Sequence, residues 1–205
     1  MLFYRLARGL FRIVALPMFR FRVEGAERVP REGPGVVVAP HRSWLDPACI
    51  GGACPRPVRF LMMEAIYRRP GATWFYRCMR SIPVGDGNAP LTTTALRHAL
   101  RALRDGQLIG VFPEGRVVPD GALGPFQRGA AMLAARGDAP VIPVFIRGSS
   151  RAWPHGRAWP GPAKVSVRIG HAIAPPGASD RDAVERFLQR IRAALEALAE
   201  EEERK

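Results

Sequence analysis

The sequence predicts a single α/β domain: a mixed, largely parallel sheet flanked by helices and preceded by an amphipathic helix. Three observations carry that expectation. Short apolar runs punctuated by Gly and Pro recur along the chain, with helical patterns between them. The 205 residues fit one domain, since chains split only beyond about 250–300 residues. A composition 47% hydrophobic and 24% charged supplies a core and excludes a disordered, collagenous or disulfide-stapled chain.

The elements follow in order. Residues 1–22 read as an amphipathic basic membrane-associating segment, and residues 23–205 as the domain proper. At 100° per residue Leu2, Phe3, Leu6, Leu10, Ile13 and Val14 share one side, with Arg5, Arg8 and Arg12 opposite. Arg20 and Arg22 follow, and no acid appears before Glu24. The pattern fits a helix lying in a membrane interface, and equally one packed on its own domain with a solvated Arg face. Pro17 is expected to end or kink it. Buried strands are read at Gly35–Ala39, Val58–Met63, Ser81–Val84, Leu108–Phe112 and Val141–Ile146, with a half-exposed one at Lys164–Gly170. Helical spacing marks Leu91–Leu103, Ala130–Ala135 and Asp180 to about Glu203; Gly148–Pro162 reads as a loop.

Charge narrows the partners. There are 31 Lys+Arg against 18 Asp+Glu, a net +13, which favours an anionic surface or phosphate-bearing substrates. Arginines scattered without a recognition motif argue against nucleic acid as the partner. Cys49, Cys54 and Cys78 form no C-x-x-C pair and suggest reduced thiols, without a disulfide framework or zinc site. No apolar run nears the roughly 18–20 residues of a spanning helix, and no A-x-A site follows Ile13–Phe19. The expectation is a peripheral protein on the cytoplasmic face of the membrane, neither exported nor spanning.

Common catalytic signatures are absent: there is no G-x-G-x-x-G after a strand, no P-loop, no G-x-S-x-G and no H-E-x-x-H. What remains is His41-Arg42-Ser43-Trp44-Leu45-Asp46, just after the apolar run Val36–Val38. Ligands in α/β folds gather at the strands' C-terminal ends. A carboxylate five positions on can accept from one ring nitrogen, leaving the other to take a proton from a hydroxyl. Alone, such a pair is more often structural. Phe112-Pro113-Glu114-Gly115-Arg116 closes another apolar run in the same way, Ile142-Pro143-Val144 sits in a third, and Phe126-Gln127-Arg128-Gly129-Ala130 introduces a helix.

On these residues the chain resembles the glycerolipid acyltransferase family typified by 1-acylglycerol-3-phosphate acyltransferases. His41 and Asp46 match its H-x4-D box, Phe112–Gly115 its F-P-E-G box, and Ile142–Val144 its V-P-x-x-V-type box, in order, over roughly residues 20–175. The resemblance implies a glycerol-3-phosphate acyltransferase-like fold and His41 as general base on a lysophospholipid hydroxyl. That hydroxyl attacks the thioester of acyl-CoA or acyl-carrier protein, with 1-acylglycerol 3-phosphate as the expected acceptor and phosphatidic acid as product. Asp46 orients His41; Glu114, Gly115 and Arg116 shape the acceptor pocket. No metal and no bound cofactor is implied.

Departures fall on the phosphate-binding boxes. Ile82-Pro83-Val84 runs into Gly85-Asp86-Gly87, placing an acid where the family has Arg. Arg116 follows Gly115 at once, and Met63-Glu64 stand where a Lys is common. Arg80, Arg116 and Arg128 are the candidates to compensate, unless the acceptor carries no phosphate. The alternatives are a thioesterase-like hydrolase and a non-enzymatic basic protein bound to membrane or nucleic acid.

Overall fold

The protein is described from a computed structural model, covering residues 2–85, 92–118, 123–154 and 156–204. The chain forms α1 (Leu2–Phe19), β1 (Arg22–Glu24), β2 (Gly35–Val38), α2 (Asp46–Ala53), β3 (Val58–Met63), α3 (Glu64–Tyr67) and α4 (Thr73–Cys78). Then come β4 (Ile82–Val84), α5 (Thr93–Arg104), β5 (Leu108–Val111), α6 (Gly129–Arg136), β6 (Val141–Arg147), α7 (Ser149–Ala152), β7 (Ser166–Ile169) and α8 (Arg181–Glu203). One seven-stranded sheet has the order β1-β7-β6-β2-β5-β3-β4. From β6 to β4 the strands run parallel; β7 lies antiparallel on β6, and β1 parallel to β7.

Alternation along β2 divides the core. Val37 points to the face covered by α1, α2 and α7, where Phe19, Ile50 and Ala152 are buried. Val36 and Val38 point to the face covered by α5, α6 and α8, where Leu103, Leu133, Phe187 and Ile191 are buried. Full burial of such a side chain contributes about 1.5–3 kcal/mol, so both helical layers are firmly held. Helix starts follow local chemistry: the Thr92 hydroxyl accepts from the Ala95 N–H, and the Asp180 carboxylate from the N–H groups of Asp182 and Ala183.

The expected strands form, with ends within two residues of those read from the sequence, and the one expected to be half-exposed, β7, has Val167, Arg168 and Ile169 buried. No apolar spacing marks α2, and β1, α3, α4 and α7 are not anticipated at all, the last inside the predicted loop 148–162. Each of these four spans at most six residues, too short to show a period. Pro17 lies within α1, which ends two residues later at Phe19.

The packing of α1 leaves the apolar stripe outward and buries a face the sequence reading did not mark. Tyr4, Ala15 and Phe19 are buried against the domain, and Phe11 packs beside them. The Tyr4 hydroxyl donates to the Gly51 carbonyl at 3.5 Å and accepts from the Val58 N–H at 3.2 Å. Arg8 turns inward to the carbonyls of Gly52 (3.5 Å) and Pro55 (3.3 Å), while Arg5 and Arg12 stay exposed. A Cβ at Gly52 would stand 2.7 Å from the Phe11 ring, so the missing side chain is what lets α1 approach. The expected apolar stripe points away from the domain, with Leu6 63%, Leu10 65% and Ile13 71% exposed. Phe3 meets Trp74 and Phe75 of α4 edge-on, at ring separations of 5.9 and 6.1 Å, and both partners are exposed.

Candidate active site

β2 and β5 are neighbours in matched register, Val38 opposite Val111. The segments leaving their C-terminal ends therefore meet, which brings the His41 and Glu114 boxes together.

Asp46 is the first residue of α2 and is wholly buried. Its Oδ2 accepts the N–H of Arg42 at 2.7 Å, the N–H of Ser43 at 2.8 Å and the Nδ1–H of His41 at 3.0 Å. The helix N-terminus adds its own positive end to that negative charge. Since an ionised carboxylate only accepts, Nδ1 carries the proton and Nε2 the lone pair. The His41 ring lies flat on Phe112, centroids 4.1 Å apart and planes 16° from parallel. Phe112 in turn stacks on Phe60 at 5.7 Å. Ser43 supports the turn: its buried hydroxyl donates to the Trp153 carbonyl at 2.9 Å and accepts the Leu45 N–H at 3.2 Å.

Glu114 is buried, and its carboxylate works on the backbone. Oε2 accepts the N–H of His41 at 2.9 Å and Oε1 the N–H of Gly124 at 3.0 Å. The Val118 N–H donates to the His41 carbonyl at 2.7 Å, so both peptide groups beside the histidine are held, by Glu114 and by Val118. Glu114 thus shapes the site by tying loops together. Gly115, at φ +70°, makes the turn; a Cβ there would run into the Gln127 side chain. Among the described residues no cluster of three or more His, Cys, Asp or Glu is disposed to hold a metal ion.

The three arginines separate. Arg116 is exposed on the same loop, one residue past the Gly115 turn. Arg128 pairs through Nε with Glu185 of α8 at 2.9 Å. Arg80 is placed differently from the sequence expectation. It precedes β4, and its carbonyl accepts from Nε of Arg59 near the start of β3. That is the N-terminal end of the parallel strands, opposite the end from which His41 departs, and Arg80 there lines a cavity of about 270 Å³ with Arg59, Asp105 and Gln107. Nearness to the second box in sequence does not say which end of a parallel strand a residue occupies. Asp86, where that box departs from the family, lies outside the described residues.

Sequence reasoning missed roles for Ser43, Val118 and Phe112. The signal for Ser43 was its place inside the His–Asp spacing, and for Phe112 its place at the strand end; Val118 acts through its backbone and left none.

Comparison with known proteins agrees with this geometry. Residues 20–147 match the family described as Acyltransferase. A 1-acyl-sn-glycerol-3-phosphate acyltransferase of Pseudomonas aeruginosa is 29% identical over 190 residues, covering 92% of this chain and 72% of that protein. A chloroplastic protein of the same name from Brassica napus is 28% identical over 68% of this chain, which spans only 41% of its length. The crystal structure of the 1-acyl-sn-glycerophosphate (LPA) acyltransferase PlsC from Thermotoga maritima superposes with a TM-score of 0.78 at 27% identity. That match covers 96% of this chain and 79% of the other.

Proposed function

The chain belongs to the acyltransferase family, and from that premise we propose that it acylates 1-acylglycerol 3-phosphate to phosphatidic acid, with acyl-CoA or acyl-carrier protein as donor. The observation that carries this reading is the His41–Asp46 contact of 3.0 Å beside the buried Glu114. Nε2 of His41 takes the proton of the acceptor's free hydroxyl as its oxygen attacks the thioester carbonyl. Asp46 holds the ring in the tautomer that leaves Nε2 basic and faces the positive charge that develops. When the tetrahedral intermediate collapses, the C–S bond breaks and the departing thiolate recovers the proton from Nε2. Hydroxyl and thioester become ester and thiol, and the histidine returns to its starting state.

Of the three candidate arginines, Arg116 is the one suited to the acceptor phosphate, through its planar fork. Arg128 is engaged by Glu185, and Arg80 sits at the N-terminal end of the strands, away from His41.

The outward stripe of α1 supports docking on an anionic bilayer. Leu6, Leu10 and Ile13 lie exposed together, Trp74 and Phe75 adjoin through Phe3, and Arg5 and Arg12 are exposed on the same helix. No described helix is long and apolar enough to cross a membrane. The mode proposed is a helix lying in the interface.

The deciding experiment incubates purified protein with labelled acyl-CoA or acyl-carrier protein, a panel of lysolipids and glycerol 3-phosphate. Labelled phosphatidic acid from 1-acylglycerol 3-phosphate is expected. Thiol release without any acylated lipid would make the protein a hydrolase, and transfer only to phosphate-free acceptors would move the substrate class.

A further inference from the structure

We infer that Arg192 of α8 is a positioning residue for His41, acting through one peptide group and Glu114. The inference rests on the acyl-transfer reading for its effect on rate, though not for its structural content. Arg192 is half-buried and uses every arm of its guanidinium. Nε pairs with Glu196 at 2.9 Å, Nη1 donates to the Gly124 carbonyl at 3.1 Å, and Nη2 to the Leu123 carbonyl at 3.1 Å. The guanidinium also lies over the Phe126 ring at 5.3 Å.

The carbonyl of Leu123 and the N–H of Gly124 belong to one peptide unit. Arg192 donates to its oxygen, and its nitrogen donates to Oε1 of Glu114 at 3.0 Å. The other oxygen of Glu114 accepts the N–H of His41. A cation on α8 and a buried carboxylate beside the histidine therefore bracket a single amide, each polarising it in the sense that strengthens the other contact. Without Arg192 that amide is free to rotate and Glu114 loses one fixed donor. His41 then depends on fewer restraints, although no atom of Arg192 approaches the reacting groups. The fork geometry is what holds two successive carbonyls; a Lys ammonium is a compact point charge on a flexible stem and reaches one of them at a time. The same helix grips the segment again at Arg128–Glu185, so α8 acts as the backing of the 123–128 wall.

The test compares the full-length protein with Arg192→Ala, Arg192→Lys and Glu114→Gln. It reads amide hydrogen exchange at His41 and Gly124 beside steady-state kinetics with 1-acylglycerol 3-phosphate. In Arg192→Ala, exchange at those two amides should rise about tenfold more than at core amides of β2 such as Val37, the scale of one lost hydrogen bond. kcat should fall roughly tenfold with acceptor KM little changed, and Arg192→Lys should recover part of both effects. Arg192→Ala combined with Glu114→Gln should be little worse than Glu114→Gln alone, because both act on one chain of contacts. Exchange at His41 rising only in step with the core, or losses that multiply in the double variant, would overturn the inference. If the wild-type chain transfers no acyl group, the functional reading fails, while the exchange pattern still decides whether Arg192 orders His41.

Discussion

Phe112 lies flat beneath the imidazole of His41, 4.1 Å away, while Asp46 holds the same ring in its own plane through Nδ1 at 3.0 Å. A stacking contact acts across the ring plane and a hydrogen bond from a ring nitrogen acts along it. One fixes the tilt of the ring and the other its rotation, so Nε2 has a single direction in which to meet a hydroxyl.

His41 and Asp46 therefore act as one unit, and their losses should not add. His41→Ala is expected to lower kcat by roughly a hundredfold to ten-thousandfold, the span of general-base catalysis. Asp46→Asn should also lower kcat with little change in KM, since an amide favours the wrong tautomer. The double variant should be little worse than His41→Ala alone. Single-turnover acyl transfer beside thermal unfolding checks this; a folded His41→Ala protein with near wild-type turnover would end the mechanism.

Arg116→Ala should weaken the phosphorylated acceptor and leave the acyl donor nearly alone. A charge-assisted contact contributes roughly 1.5–3 kcal/mol, so acceptor KM should rise about tenfold to a hundredfold. Equal losses with phosphate-free acceptors would make Arg116 structural. Initial rates over both substrate concentrations separate the cases.

Replacing Leu6, Leu10 and Ile13 together by Asp should abolish sedimentation with anionic vesicles without lowering the melting temperature, because all three are exposed. Each apolar side chain transferred into lipid contributes about 1.5–3 kcal/mol, so even one substitution should weaken binding about tenfold to a hundredfold. Raising the salt should weaken the wild type as well, since exposed charges are screened beyond about 8 Å at physiological ionic strength. Unchanged vesicle binding by the triple variant would rule out this face.

Alkaline pH should loosen α1. Burial pushes the Tyr4 hydroxyl from 10.0 up to about 12 and the Cys54 thiol from 9.0 to about 12. Both groups are acids that the folded state keeps protonated. The unfolded chain releases those protons first, so stability is full below about pH 9 and falls as the pH climbs toward 12. Tyr4→Phe should lower stability at neutral pH, because the Val58 N–H loses its acceptor, and flatten the alkaline decline. Chemical unfolding midpoints at pH 8 and pH 11 for both proteins test the sign.

The parallel strands were legible because each is a short buried run closed by Gly or Pro, and the dyad because its spacing follows one of them. Packing preference was not legible. Helical periodicity shows that α1 has an apolar stripe, but which stripe is buried was decided by the notch at Gly52 that admits Phe11. Arg192 carries no sequence signal, since at its spacing on α8 an arginine reads as part of a solvated face. Glu114 was legible from its box, but the bonds it makes were not, because only coordinates show both oxygens taken by backbone N–H groups.

Both borders of the sheet are short. β4 has three residues with Pro83 at its centre, which cannot donate to an added strand, and β1 has three with exposed Arg22 and Glu24 at its ends. Such edges resist the strand-by-strand growth that turns sheet proteins into fibrils. An apolar stripe as exposed as that of α1 is a surface prone to association in the absence of lipid. The route the architecture leaves open is α1 against α1, helix to helix. Such clusters should dissolve in mild detergent, because the strand pairing that makes aggregates permanent has no place to begin.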